Sequence, residues 1–374
     1  MSVLDQRTYH IITGSRRFFE EKLPMFTDVD DVHTLIELVK LSDAAQENKG
    51  VFEDFASILL VRNDDYHGIV DSAHDRLGAL IEEVTADDAD IYVHNPPQKL
   101  KNYLLGKAER NLIVLTTEEE RYDIRRDSAM FQENMRRIGE DIIGQENAIE
   151  EMGKSLWYLT TVKRKKPYVI MLHGNSSLGK TELVREVAER FFDGKFLEKH
   201  LSMFQNNNYS NYFFGDVPSR RSIGYDLLER ESNLIFFDEL DKCPEHYYSA
   251  FYTLFDDVLF KDAAYEVDVS GTIIVVTSNY QTREEMKKRL GLPIYYRIDK
   301  FIHFADLTET AIRAIVDNEV RSRLQELDGR LSFEQITASV APLIDFENEN
   351  ARTIKYKVQH VIEELLFSDL ADAQ

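Results

Sequence analysis

From about residue 167 the chain alternates between short stretches that are apolar throughout and longer stretches with apolar residues at helical spacing. PYVIMLHGN (167–175), NLIFFDELD (233–241) and GTIIVVTSN (271–279) belong to the first kind, and TELVREVAERFF belongs to the second. A strand that is apolar along its whole length needs cover on both faces, so the pattern predicts a doubly wound parallel α/β sheet. Ligands of such sheets sit at the carboxyl ends of the strands. All three apolar runs end there in polar residues.

The first part of the chain, residues 1–116, shows a weaker pattern. Residues 31–40 and 66–84 carry apolar positions at helical spacing; in the second they are Ile69, Ala73, Leu77, Leu80 and Val84. Residues 90–93 and 111–115 are short strand candidates, and His94-Asn95-Pro96-Pro97 reads as a turn that prepares a helix. A separate N-terminal α+β domain is expected there. Residues 117–137 are charged and expected to form a linker helix.

Composition narrows the function classes. The chain has 374 residues, with 45 Lys and Arg against 67 Asp and Glu, a net charge of −22. Such an excess disfavours binding to the phosphate backbone of nucleic acid. The short basic run Lys163-Arg164-Lys165-Lys166 reads as a solvated loop. The single cysteine, Cys243, excludes an internal disulfide and points to a reducing, cytoplasmic setting. No apolar h-region and no membrane span is expected.

Two motifs carry chemistry. Gly174-Asn175-Ser176-Ser177-Leu178-Gly179-Lys180-Thr181 fits GxxxxGK[ST] between a strand and a helix. Its glycines let backbone N–H groups curl around phosphate oxygens, Lys180 supplies a compact charge, and Thr181 offers a hydroxyl to Mg²⁺. The alternative is an ordinary glycine-rich turn. The second motif is Asp238-Glu239 at the end of the second apolar run, where one carboxylate can serve Mg²⁺ and the other can polarise water. Asn279 closes the third run and could orient that water or form a turn.

Together with Ile143-Gly144-Gln145, Tyr296-Arg297-Ile298-Asp299 and Ala351-Arg352, these motifs stand in an order that resembles the AAA+ ATPases, most closely the Clp branch with its torsin-like relatives. The resemblance covers about residues 138–374 and implies an AAA+ core over 138–305 and a small helical lid over 306–374. It implies that Ile143 lines an adenine pocket and that Lys180 and Thr181 are the Walker A pair. Asp238 would then organise Mg²⁺, Glu239 act as base and Asn279 as sensor 1. Arg297 would be the arginine finger reaching a neighbouring subunit's ATP, and Arg352 sensor 2. An arginine delivered in trans implies a ring or helical oligomer, with six subunits expected. For Arg297 the alternative is an ion pair with Asp299 or Asp306, and for Arg352 one with Glu349.

One departure bears on function. The branch's aromatic GYVG pore loop is absent from residues 201–233, where Ser222-Ile223-Gly224-Tyr225 is the only weak substitute. Three functions remain open: an ATP-driven remodeller of a protein client, a regulatory switch whose first domain recruits an effector, for instance in a multi-gene defence-type system, and a nucleic-acid-associated ATPase. A client or effector would bind the N-terminal domain, and no membrane partner is expected.

Overall fold

The structure, a computed structural model, describes residues 6–26, 31–47, 55–122, 126–204, 209–327 and 329–372, with only the backbone at 42–47 and 369–372. Its strands are β1 Thr8–Thr13, β2 Val32–Thr34, β3 Ala56–Val61, β4 Thr85–His94, β5 Val114–Glu119, β6 Tyr168–His173, β7 Leu197–His200, β8 Leu234–Asp238, β9 Leu259–Lys261, β10 Glu266–Asp268, β11 Ile273–Ser278 and β12 Lys300–His303. Among the described residues they form two five-stranded sheets and one hairpin, β9 with β10.

The second sheet has the order β12-β6-β11-β8-β7, and every pairing in it is parallel. Successive side chains of a strand point to opposite faces. Leu234 and Phe236 of β8 therefore enter one core, with Leu183, Val184 and Val187 of the helix Lys180–Phe191. Ile235 and Phe237 enter the other, with Phe251 and Leu254 of the helix Tyr248–Asp256. This is the doubly wound sheet that the apolar runs predict. Burial of six side chains such as these contributes on the order of 10 kcal/mol before chain entropy is counted.

The first sheet has the order β2-β3-β4-β1-β5 and is also parallel throughout. Residues 6–119 are therefore α/β, which corrects the α+β expectation. Strands β1 and β3 escape the sequence pattern because polar residues interrupt them, Thr8, His10 and Thr13 in β1 and Ser57 in β3. The single helix expected over residues 66–84 is also corrected. The chain forms two 3₁₀ turns, Asn63–Gly68 and Asp71–Arg76, and only Leu77–Val84 is α-helical. Ile69 and Val70 between the turns are extended, with ψ of 135° and 144°. Two β-branched residues in succession give up little by leaving the helix.

The charged region 117–137 divides. β5 runs through Glu119, and the helix Ser128–Asp141 starts on an Asp127 cap that accepts from the N–H groups of Ala129 and Met130. That helix buries Ile138 in the core of the second sheet. Near the end of the chain three helices, Glu309–Leu324, Phe333–Val340 and Ala351–Asp372, pack together through Ile312, Val316, Ile336, Val340, Ile354 and Val358. No described helix is long and apolar enough to cross a membrane.

Candidate functional site

The site begins at the carboxyl end of β6. Gly174 takes φ +135°, Ser177 +62° and Gly179 +98°, so the backbone curls before the helix Lys180–Phe191 starts. At Gly174 a β-carbon would lie 2.3 Å from the carbonyl oxygen of Phe304, just past β12, so only glycine fits this strand edge.

Lys180, the first residue of the helix, folds back over the curl. Its Nζ donates to the carbonyl oxygens of Gly174 (2.7 Å) and Asn175 (2.6 Å) and to Asn279 Oδ1 (3.2 Å). Burial lowers its pKa from 10.5 to about 8, against the pull of Asp241, Asp238 and Glu239. A cation held out of water in this way gains from an arriving polyanion that restores the lost solvation.

The acids come from β8. Asp238 Oδ1 and Oδ2 each stand 3.4 Å from Thr181 Oγ1, and His200 Nδ1 is 3.4 Å from Oδ2. Glu239 leaves the strand in the left-handed region, φ 59° and ψ 51°, which turns its side chain away from the strand direction. Thr277 ties the two acids together. Its Oγ1 donates to Asp238 Oδ1 and accepts from the Glu239 N–H at 2.9 Å. Register explains the contact: Val276 of β11 pairs with Phe237 of β8, which brings Thr277 beside Asp238. Asn279, two residues further, receives Lys180 and is itself steadied by Asp241, which accepts from its N–H and Nδ2 at 3.3 Å.

These groups open on one cavity of about 600 Å³. Ile143, Ser176, Ser177, Leu178, Gly179, Lys180, Thr181, Asp238, Glu239, Asn279 and Arg352 line it. Gly174 and Asn175, the first two residues of the loop, are not among the lining residues; their carbonyls accept from Lys180. The apolar end is made by Ile142, Ile143, Leu307 and Ile315, a suitable wall for a planar base. Thr181 and Asp238 are hard oxygen donors side by side, which suits Mg²⁺ completed by phosphate oxygens and water.

Arg352 lies in the first turn of the helix Ala351–Asp372. The Ala351 N–H donates to the Ser177 carbonyl at 3.3 Å, so the helix Ala351–Asp372 starts directly on the phosphate loop. Glu349, the anticipated ion partner, is taken by Lys357 and Thr353 instead. Arg352 is left exposed on the cavity wall.

Arg297 does not line this cavity. Its guanidinium covers the Tyr252 ring at 5.1 Å, donates to the Pro293 carbonyl at 2.8 Å and stands 3.6 Å from Asp256. Neither acid named for it pairs with it: Asp299 binds Arg164 at 2.7 Å, and Asp306 accepts from Asn175 at 2.6 Å. Tyr225 is buried, and its hydroxyl donates to Asp64 of the first domain, so this side chain is not free to grip a client. Thr277 and Lys355 are two side chains of the cavity wall that sequence reasoning passed over. The signal for Lys355 was its spacing, three residues after Arg352 on one helical face. Thr277 carried none that distinguishes it from a strand threonine.

Residues 164–333 match the family model described as AAA domain (Cdc48 subfamily). Over 272 residues the chain is 27% identical to the mitochondrial disaggregase of Homo sapiens, covering 63% of this chain and 38% of that protein. It is 26% identical over 266 residues to the chaperone protein ClpB of Bacteroides thetaiotaomicron, covering 59% of this chain and 30% of that protein. For ClpB of Oceanobacillus iheyensis the values are 26% over 284 residues, 63% and 35%. The chain thus spans about a third of the length of the curated relatives it matches.

Proposed function

From the Clp-like AAA+ character of residues 164–333 we propose that the chain binds and hydrolyses ATP and uses the cycle to remodel a protein client or assembly within an oligomer. One observation carries this reading: a phosphate loop, a linked pair of acids and a lid arginine converge on a single cavity. The relatives' names, disaggregase and chaperone, support the remodelling part.

Phosphoryl transfer asks a protein mainly for positioning and charge neutralisation. The loop N–H groups and Lys180 would hold the β- and γ-phosphates. Thr181 and Asp238 would hold Mg²⁺, which would supply charge to the phosphate oxygens. Glu239 would take a proton from the attacking water, and Asn279 would orient that water. Arg352 would sense the γ-phosphate from the lid of the same subunit. Arg297, partly exposed outside the cavity, suits delivery to a neighbour's nucleotide, and six subunits is the ring we expect.

Glu239→Gln is expected to bind ATP and keep it unhydrolysed, and Lys180→Ala to weaken nucleotide binding itself, read by filter binding and phosphate release. Parental turnover in either variant removes this reading. A second reading, a nucleotide switch recruiting an effector through the first domain, draws support from the burial of Tyr225 against Asp64. Client unfolding by the parent chain, lost together with ATP hydrolysis in Glu239→Gln, separates remodeller from switch.

A further inference from the structure

The first sheet has a crevice of its own. β1 continues to β2 at the far edge, and β4 continues to β5 on the opposite side of β1. Connections that leave adjacent parallel strands in opposite directions open a gap at the carboxyl edge, where α/β sheets hold ligands. Here the gap is filled by a side chain from outside the sheet, Glu229, which follows the helix Ile223–Leu228.

The Glu229 carboxylate is held as a bound anion would be. Oε1 accepts from Asn63 Nδ2 at 2.6 Å and Asn95 Nδ2 at 3.2 Å, and Oε2 accepts from the Arg16 N–H at 3.1 Å. His94 Nε2 lies 3.7 Å from Oε1. Asn63 and Asn95, the side-chain donors, are each 1% exposed and so lie out of water, and His94 Nε2 is bonded to the Gly14 carbonyl at 2.9 Å. Asn63 Oδ1 is buried with no hydrogen-bond partner among the described residues. Beside Glu229 the crevice continues as a cavity of about 190 Å³, whose lining holds two cations, Lys101 and Arg230, and four acids, Glu119, Glu120, Glu266 and Asp268, so the part of a ligand that enters it must be neutral or cationic. Arg230 spends its terminal N–H groups on the carbonyls of Leu227 and Asp268 and pairs with no carboxylate among the described residues.

We propose that the crevice between β1 and β4 binds a small molecule bearing a carboxylate or phosphate, and that Glu229 occupies it as a built-in stand-in. The anion takes the place of the Glu229 carboxylate, and the rest of the molecule enters the adjoining cavity. Its arrival frees residues 229–233, which lead directly into β8.

The test uses the full chain carrying Lys180→Ala, which silences the phosphate loop. Inorganic phosphate and succinate are titrated separately by calorimetry, with Glu229 intact or changed to Ala. A tethered competitor lowers apparent affinity by the fraction of time the crevice stands free. Removal of Glu229 is therefore expected to tighten at least one anion about tenfold, and adding Asn63→Leu is expected to abolish the gain. A gain for phosphate alone identifies a phosphorylated ligand, and a gain for succinate alone a carboxylate. Equal affinities with and without Glu229 for both anions, or a gain indifferent to Asn63→Leu, overturns the proposal. Should Glu229→Ala fail to fold by circular dichroism, hydrogen exchange of the Lys180→Ala chain decides. Excess of one anion must speed exchange across residues 223–230, and unchanged exchange with both rejects the site.

Discussion

Thr277→Val isolates the bridge between the two acids. Valine has nearly the shape of threonine, so the buried position, 2% exposed, stays filled. Two interactions are lost: the bond to the Asp238 carboxylate, and the acceptor for the Glu239 N–H. A hydrogen bond to a charged group contributes about 1.5–3 kcal/mol, and an abandoned buried N–H costs about 1–3 kcal/mol. The second bond also holds Glu239 at φ 59°, a conformation costing a non-glycine residue about 1–2 kcal/mol. Part of the loss is expected as stability, about 2 kcal/mol by urea unfolding. The rest is expected as misplacement of Glu239, lowering kcat about 10- to 100-fold at 1.4 kcal/mol per factor of ten. ATP affinity depends on Lys180 and the loop, so it changes much less. Single-turnover hydrolysis with a parallel binding titration reads both, and Thr277→Ser is expected to recover most of the rate. Parental kcat in a Val variant with a measurable stability loss refutes the claim that Thr277 positions Glu239.

Further tests address other parts of the site. Lys180 loses its proton in the free protein near pH 8, whereas bound triphosphate favours the charged form, so ATP binding above that pH requires proton uptake. Affinity for a fluorescent ATP analogue is expected to hold below pH 8 and to fall by up to about tenfold per pH unit above it; a flat profile to about pH 9.5 contradicts the buried ammonium. Gly174→Ala places a β-carbon 2.3 Å from the Phe304 carbonyl at φ +135°, and a loss of about 3 kcal/mol together with nucleotide binding is expected by urea unfolding. Arg352→Ala is expected to raise KM for ATP at any protein concentration. Arg297→Ala is expected to lower kcat only where light scattering shows assembly, and an equal loss in the monomer range argues against action in trans.

What the chain reveals by inspection follows from how local each signal is. The strand ends of the second sheet were legible because β6, β8 and β11 each begin with an unbroken apolar run and end in polar residues, at His173, Asp238 and Thr277-Ser278. The first sheet was harder: β1 and β3 mix polar with apolar residues, and β2 has only three residues. The extended pair Ile69-Val70 interrupts a helical periodicity that spacing alone presents as continuous. Thr277 could not be found locally, since its role arises from a register between strands nearly forty positions apart. Tyr225 was misleading for the same reason, because its partner Asp64 lies 161 residues away.

Strand β8 has a mechanical meaning beyond its chemistry. At its carboxyl end stands Asp238, in the cavity, and just before its amino end Asn233 donates to the Tyr122 carbonyl at the exit of the first sheet. Five extended residues measure about 17 Å, and a strand flanked on both sides by hydrogen-bonded neighbours is stiff along its axis. A pull on Asn233 would therefore be carried to Asp238 along the strand itself. The chain carries, in effect, a pushrod between its two halves.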